Sequence, residues 1–148
     1  RSSRHRLIRR HLDPMPRVAA GQRLAACKAA SSMIDVSDGL VADLRHILEE
    51  SRVGARISLE EIPLSAGYKK YCDRKADDFY RPALCGGEDY ELLFTARSSQ
   101  QPRIKKISRQ LALPITCIGR ITSQCRRLEI LDRCGRTVSS GKEGYTHF

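Results

Sequence analysis

The sequence of 148 residues contains no tryptophan, and only 5% of its residues are aromatic. Because no recognised nucleic-acid-binding motif is present either, a nucleic-acid-binding module is not the favoured interpretation. No apolar run approaches the roughly 18 residues of a membrane-spanning helix, so we expect no membrane partner. The arginine-rich start lacks an apolar segment, so we expect no secretory signal in this sequence.

Several motifs with a defined chemistry are missing too. None of the six cysteines forms a C-x-x-C pair, and no Cys/His spacing matches a zinc site. Without a secretory signal, we expect reduced thiols in a cytoplasmic protein. The phosphate-binding G-x-x-x-x-G-K-[ST] loop, the G-x-G-x-x-G run and the nucleophile elbow of a Ser-His-Asp hydrolase are absent. If the chain binds a nucleotide, it therefore has to do so through acidic residues and a metal ion.

Positive charge is in excess, with 27 Lys and Arg residues against 17 Asp and Glu residues and a formal net charge of +10. Much of this excess lies at the N-terminus. Such a balance favours anionic partners, which include nucleotides, phosphorylated metabolites and nucleic acid, but it does not choose among them. The alternative interpretation is a solvated basic surface.

The length suits one domain with a core of its own. The basic segment 1–16 ends with Pro14 and Pro16, which stop a helix and favour an extended connector. We therefore expect residues 1–16 to be the tail of an upstream region and residues 17–148 to form the domain. Since the first residue is Arg1 and not Met, we also expect a fragment or a processed form.

Hydrophobic periodicity predicts an alternation of helices and strands. Helices are predicted over residues 17–30, 38–51, 66–80 and 101–111, with Ser65 as an N-cap. Strands are predicted over residues 32–36, 53–59, 90–96, 115–121 and 126–131. A short polar turn between the last two strands indicates a hairpin. The class is therefore α/β or α+β with a mixed sheet.

Two polar turns lie next to predicted strands. The first contains Asp35, Ser37 and Asp38 and leads into an amphipathic helix, so carboxylates, a hydroxyl and free backbone N–H groups come together. This equipment suits a metal ion and the phosphates attached to it. The second turn, Gly-Gly-Glu-Asp at 86–89, precedes the strand predicted at 90–96. We predict that these two turns meet in space.

Each turn also has a purely structural interpretation. Ser37 or Asp38 would then only cap the following helix. Asp35 argues against this, because a carboxylate inside an apolar run is costly without a partner. The second turn would be a tight connection with a solvated Glu88.

Five sequence blocks resemble the thiamine-monophosphate kinase family, in the family's order: residues 10–17, 33–40, 62–65, 83–95 and 144–148. The run Gly-Gly-Glu-Asp-Tyr-Glu-Leu-Leu-Phe-Thr at 86–95 is the most specific of them. The resemblance covers the C-terminal half of that enzyme, a domain shared with aminoimidazole ribonucleotide synthetase and selenophosphate synthetase. It implies an α+β fold with a mixed, largely antiparallel sheet flanked by helices.

The resemblance implies transfer of the ATP γ-phosphoryl group to thiamine phosphate, which gives thiamine diphosphate. It implies Mg²⁺ as the cofactor, ATP as the co-substrate and a homodimeric full-length enzyme. Residues 1–16 would be the basic linker from a missing N-terminal ATP-binding domain, and the fragment would be inactive alone. The alternatives are another ATP-dependent member of the superfamily with a different acceptor and a basic nucleic-acid-binding module.

By the motif match, Asp35 and Asp38 resemble the family's magnesium ligands in this domain. Ser37 resembles its nucleotide contact. The resemblance assigns no catalytic residue.

Glu88 resembles a substrate-binding glutamate, whose carboxylate would complement the cationic thiazolium. Gly86 and Gly87 would support it by close backbone approach or positive φ. Phe148 resembles an aromatic residue near the thiamine moiety, although it would equally suit a tail docked to the core. The family usually has Asp where Thr146 stands, a departure in this block.

Overall fold

Helices and strands alternate along the part of the chain that the computed structural model describes, residues 3–72 and 79–138. The helices are α1 Ser3–Leu12, α2 Val18–Ala26, α3 Leu40–Ser51, α4 Ala66–Tyr71, α5 Arg81–Cys85 and α6 Gln101–Gln110. The strands are β1 Ser32–Val36, β2 Gly54–Ser58, β3 Glu91–Thr95, β4 Gly119–Thr122 and β5 Leu128–Leu131. None of the described helices is long and apolar enough to cross a membrane.

The strands of the described residues form two small sheets. In the first, β1 pairs antiparallel with β3, so that Ser32 lies opposite Thr95 and Val36 opposite Glu91. The second has the order β4-β2-β5, with β2 antiparallel to β4 and parallel to β5. The α+β class with mixed, largely antiparallel pairing and flanking helices is confirmed.

The predicted hairpin of the last two strands is wrong, because β2 lies between β4 and β5. The connection between β4 and β5 crosses over the start of β2, where Arg126 N–H donates to the carbonyl of Val53 at 2.8 Å. Gly54 makes this crossing possible. A Cβ at Gly54 would lie 2.1 Å from the carbonyl oxygen of Gln124 and 2.7 Å from that of Arg127.

The main core fixes helix α3 against the three-stranded sheet. Its apolar stripe of Leu40, Val41, Leu44 and Leu48 packs in one cluster with Ile57. A second cluster joins helices α2 and α6, with Leu24, Ala29 and Ile107 buried at its centre. The main core supports the start of α3, where the connection from β1 ends, since burying such side chains stabilises by roughly 1.5–3 kcal/mol each.

The segment predicted as one helix over 66–80 is only partly described. Ser65 caps α4 as predicted, with its Oγ accepting from Tyr68 N–H at 3.1 Å. Residues 73–78 lie outside the described part. The short helix α5 is an element that the sequence pattern did not predict. Phe79 packs against Tyr68 and Tyr80, with ring centroids 5.5 and 5.1 Å apart.

The stretch expected to be a basic linker contains helix α1, which lies against α4. Residues 14–17 then run without helix or strand, in keeping with Pro14 and Pro16. Arg17 donates two hydrogen bonds of 2.7 and 2.8 Å to the carboxylate of Glu91 at the start of β3. Arg10 donates a third at 2.8 Å. The division at residue 16 stays a prediction.

We expect Gly54→Ala to lower the free energy of unfolding by about 1–3 kcal/mol, because the added methyl group forces the crossing connection away. The control is Gly21→Ala on α2, where a Cβ would lie 4.0 Å from Leu92 Cδ2. That change should raise stability by roughly 0.5–1 kcal/mol through helix propensity. Urea denaturation followed by circular dichroism measures both. Equal stability of the two variants would contradict the crossing.

The ion pair of Glu91 predicts a pH dependence of stability. The hydrogen bond from Arg17, with help from Arg10, holds the pKa of Glu91 below its usual value of 4.5. The pair therefore stabilises fully above about pH 4.5, and its contribution is lost as the pH falls through the lower pKa of the folded state. Because Glu91 is half-exposed, the stability difference from Glu91→Gln should be below about 1 kcal/mol at neutral pH. Urea titrations from pH 7 to strong acid should show this stability difference vanish. A difference that does not change with pH would disprove the link between the Glu91 ion pair and stability.

Candidate functional site

The two polar turns meet, as predicted. Glu88 N–H donates to the carbonyl oxygen of Ser37 at 2.8 Å, and Tyr90 N–H donates to that of Val36 at 2.8 Å. The antiparallel pairing of β1 with β3 explains the meeting, because it places the end of β1 beside the start of β3. The acidic residues of both turns therefore belong to one region of the surface.

Close approach, and not positive φ, explains the glycine pair of the second turn. A Cβ at Gly87 would lie 2.5 Å from the carbonyl oxygen of Ser37, and one at Gly86 would lie 2.3 Å from that of Pro82. Any side chain at Gly87 would therefore push the two turns apart. The positive φ angles belong to Glu88 at 67° and Tyr90 at 49°, which is uncommon for residues with side chains.

Asp43 is the residue of this site that the sequence analysis missed. It lies in the first turn of α3 and is only 2% exposed. Its Oδ2 accepts hydrogen bonds from the backbone N–H groups of Ser37 and Asp38, at 3.0 and 3.1 Å. These two N–H groups were expected to be free for phosphate. An acidic residue among the apolar positions of the helix was the signal that could have identified it.

The three predicted residues of the first turn occupy different environments. Asp35 is exposed on β1, whereas Ser37 and Asp38 are half-buried. The purely structural interpretation of Ser37 or Asp38 as a helix cap is wrong. The N-cap of α3 is Gly39, and no side chain makes the cap hydrogen bond.

Asp38, Asp43 and His46 lie close enough to surround a cation, with ligand atoms within 4.8 Å of one another. For Mg²⁺, however, this trio is a poor set. Oδ2 of the buried Asp43 is already bonded to two N–H groups, and a histidine nitrogen is not the oxygen ligand that Mg²⁺ prefers. Carboxylates that can reach solvent fit better, and Asp35 and Asp38 meet that requirement.

The hydroxyl group of Tyr90 interacts with acidic residues of both turns. Its hydroxyl donates to Glu88 Oε2 at 2.8 Å. That hydrogen bond raises the pKa of Tyr90, and the negative charges of Glu88, Asp35 and Asp38 raise it further. The phenol thus stays protonated at neutral pH and remains a donor to Glu88.

A groove of about 400 Å³ runs beside β1 and β3. Asp35 and Tyr90 line it together with apolar side chains such as Met33 and Leu92.

Arg17 and Glu91 also line the groove and form an ion pair with each other at 2.7 Å. With that pair balanced, Asp35 gives the groove an acidic character, which suits an organic cation better than a bare anion. Phe148, the predicted aromatic contact, lies outside the described residues.

Comparison with known proteins starts from the whole domain. Residues 4–130 match the family described as AIR synthase related protein, C-terminal domain. The chain belongs to this family.

Its described cysteines are all free thiols.

Several proteins similar to this AIR synthase related domain are thiamine-monophosphate kinases. The thiamine-monophosphate kinase of Salmonella typhimurium is 40% identical over 144 residues, which is 97% of this chain and 43% of that protein. The solved thiamine-monophosphate kinase of Stenotrophomonas maltophilia has a TM-score of 0.81 at 38% identity, covering 92% of this chain and 40% of the other. The chain thus spans less than half the length of these relatives.

A third similar structure contains ligands. AaThiL complexed with AMPPCP and TMP has a TM-score of 0.78 and 34% identity. The match covers 100% of this AIR synthase related domain and 43% of that chain. The shared part is therefore one domain of a protein solved with bound ligands.

We expect Asp43→Ala to destabilise the domain by about 1–3 kcal/mol, because it leaves the N–H groups of Ser37 and Asp38 without their acceptor. Asp43→Asn keeps an acceptor oxygen and should lose less. Urea denaturation gives the stabilities, and hydrogen exchange of these two amides gives the local effect. Unchanged protection of both amides in Asp43→Ala would show that the carboxylate does not hold the turn.

Proposed function

We propose that the chain acts as the C-terminal domain of a kinase that transfers the γ-phosphoryl group of ATP to thiamine phosphate, giving thiamine diphosphate. The observation that carries the proposal is the hydrogen bond between the two turns, from Glu88 N–H to the carbonyl of Ser37. It brings the motif resembling a metal and nucleotide site beside the motif resembling an acceptor site. Relatives aligned over 97% of the chain support it.

The proposal concerns a kinase longer than these 148 residues. Because the chain spans 43% of its Salmonella relative, we infer that the isolated chain is inactive. The region N-terminal to this domain in the relatives would contribute most of the nucleotide site. A homodimer of the whole kinase and a cytoplasmic location stay predictions.

The first turn would serve the nucleotide and its metal. Asp35 and Asp38 would hold Mg²⁺, and Ser37 would contact the nucleotide. When bound, Mg²⁺ neutralises charge on the phosphate oxygens, which is the main requirement of phosphoryl transfer. The N–H groups of Ser37 and Asp38 already donate to Asp43, so they would not bind a phosphate group. The turn would then keep a net negative charge, which favours cations.

The second turn would serve the acceptor. Glu88 would place its carboxylate against the positively charged thiazolium of thiamine phosphate, while Gly87 keeps it close to the first turn. Positioning two anionic reactants in line then needs no covalent step by the protein. Phe148 remains a proposed contact of the thiamine moiety.

The basic surface gives less support to nucleic-acid binding than the net charge suggests. Arg56 and Arg127 both pair with Glu129, at 2.6 and 2.8 Å. Arg136 pairs with Asp132 at 2.9 Å. Ion pairs partly neutralise these three arginines, which makes them less available to a phosphate backbone.

The test is a coupled assay of the whole kinase with ATP, Mg²⁺ and thiamine phosphate. We expect thiamine diphosphate from the wild type and a loss of about 100-fold or more in Asp38→Asn, since metal stabilisation of phosphate charge is worth several kcal/mol. Glu50→Gln, exposed on the same helix α3, is the control and should keep full activity. No product from a folded wild type would overturn the proposed acceptor and favour another ATP-dependent reaction of the superfamily.

A further inference from the structure

Tyr90 has a role that none of the family motifs assigns. Its backbone N–H binds the first turn at the carbonyl of Val36, and its hydroxyl binds the second turn at Glu88 Oε2, both at 2.8 Å. Its ring is half-buried and lines the groove that Asp35 also lines. One side chain therefore links the proposed metal side and the proposed acceptor side.

The backbone on either side of this link is strained. Glu88 and Tyr90 have φ angles of 67° and 49°, a region that is unfavourable for a residue with a side chain. Such conformations persist where the surroundings hold them. Here the backbone hydrogen bonds to Ser37 and Val36 hold the backbone of both residues, and the hydroxyl bond of Tyr90 then links the two side chains.

The chemistry of the pair suits recognition of a cation. A phenol donor fixes one oxygen of the carboxylate and leaves its negative charge in place. In the described part of the chain no other donor bonds the Glu88 carboxylate, so Oε1 can face a ligand. Asp35 and Tyr90 both line the groove, where they offer a negative charge and an aromatic π face.

We propose that Tyr90 is a positioning residue for the acceptor: its hydroxyl holds the Glu88 carboxylate where it meets the cationic ring of thiamine phosphate. This inference rests on the proposed function and deepens it, because it names positive charge as the feature of the acceptor that the second turn selects. Tyr90 itself takes no part in phosphoryl transfer.

The experiment compares Tyr90→Phe with the wild type in the whole kinase. Losing a hydrogen bond to a charged group should raise the KM for thiamine phosphate by about tenfold. The KM for ATP, the Mg²⁺ requirement and kcat should stay within about twofold. Tyr68→Phe is the matched control, because it removes a phenol bond of 2.7 Å to the carbonyl of Phe79. It should leave all four quantities unchanged.

A second acceptor separates charge recognition from a general structural role. The probe is a thiamine phosphate analogue whose thiazolium is replaced by an uncharged thiophene ring. The wild type should prefer thiamine phosphate, and Tyr90→Phe should lose about tenfold of that preference, the same hydrogen-bond contribution. A rise in KM that is equal for both acceptors and for ATP would overturn the role in charge recognition.

The outcomes distinguish this inference from the function on which it rests. An active wild type with an unchanged acceptor preference in Tyr90→Phe would overturn the role of Tyr90 and leave the kinase standing. A folded wild type that makes no thiamine diphosphate would overturn the proposed function, and the role of Tyr90 with it.

Discussion

The buried carboxylate of Asp43 is the constraint on which the candidate site depends. Asp43 lies in the first turn of α3 and accepts hydrogen bonds from the backbone N–H groups of Ser37 and Asp38. A charge buried to 2% exposure is unfavourable unless hydrogen bonds compensate it. Because α3 is anchored by Leu44 and Leu48 in the main core, the turn is tied to the main core of the domain. The position of the first turn therefore depends on core packing.

Close backbone approach connects the second turn to the first turn. Gly87 passes the carbonyl of Ser37 at a distance that no side chain would permit, and Glu88 and Tyr90 adopt positive φ to follow it. The outcome is a division of labour within a few residues. In the proposed kinase, one turn would offer carboxylates for a metal and a nucleotide, and the other would offer a carboxylate held by a phenol for an organic cation. Phosphoryl transfer needs these positions fixed before the reactants arrive.

The sequence predicted what depends on local pattern or on a recognised motif, and it missed distant contacts that neither of these contains. Strand β1 and helix α3 were recognised from hydrophobic periodicity, and the meeting of the two turns from their motifs. The hairpin was wrong because the crossing over Gly54 is decided by residues about 70 positions away. Asp43 was missed because an acidic residue in a first helical turn usually favours the helix dipole from the surface. Its burial is a tertiary property that periodicity does not contain.

The most direct test of a joint site is a crystal structure of the whole kinase with Mn²⁺ in place of Mg²⁺, a non-hydrolysable ATP analogue and thiamine phosphate. The anomalous signal locates the metal independently of activity. The account predicts a Mn²⁺ peak about 2.1 Å from carboxylate oxygens of Asp35 and Asp38, with the acceptor ring beside Glu88. Metal ions bound only elsewhere, with both aspartates facing solvent and the acceptor away from Glu88, would contradict it.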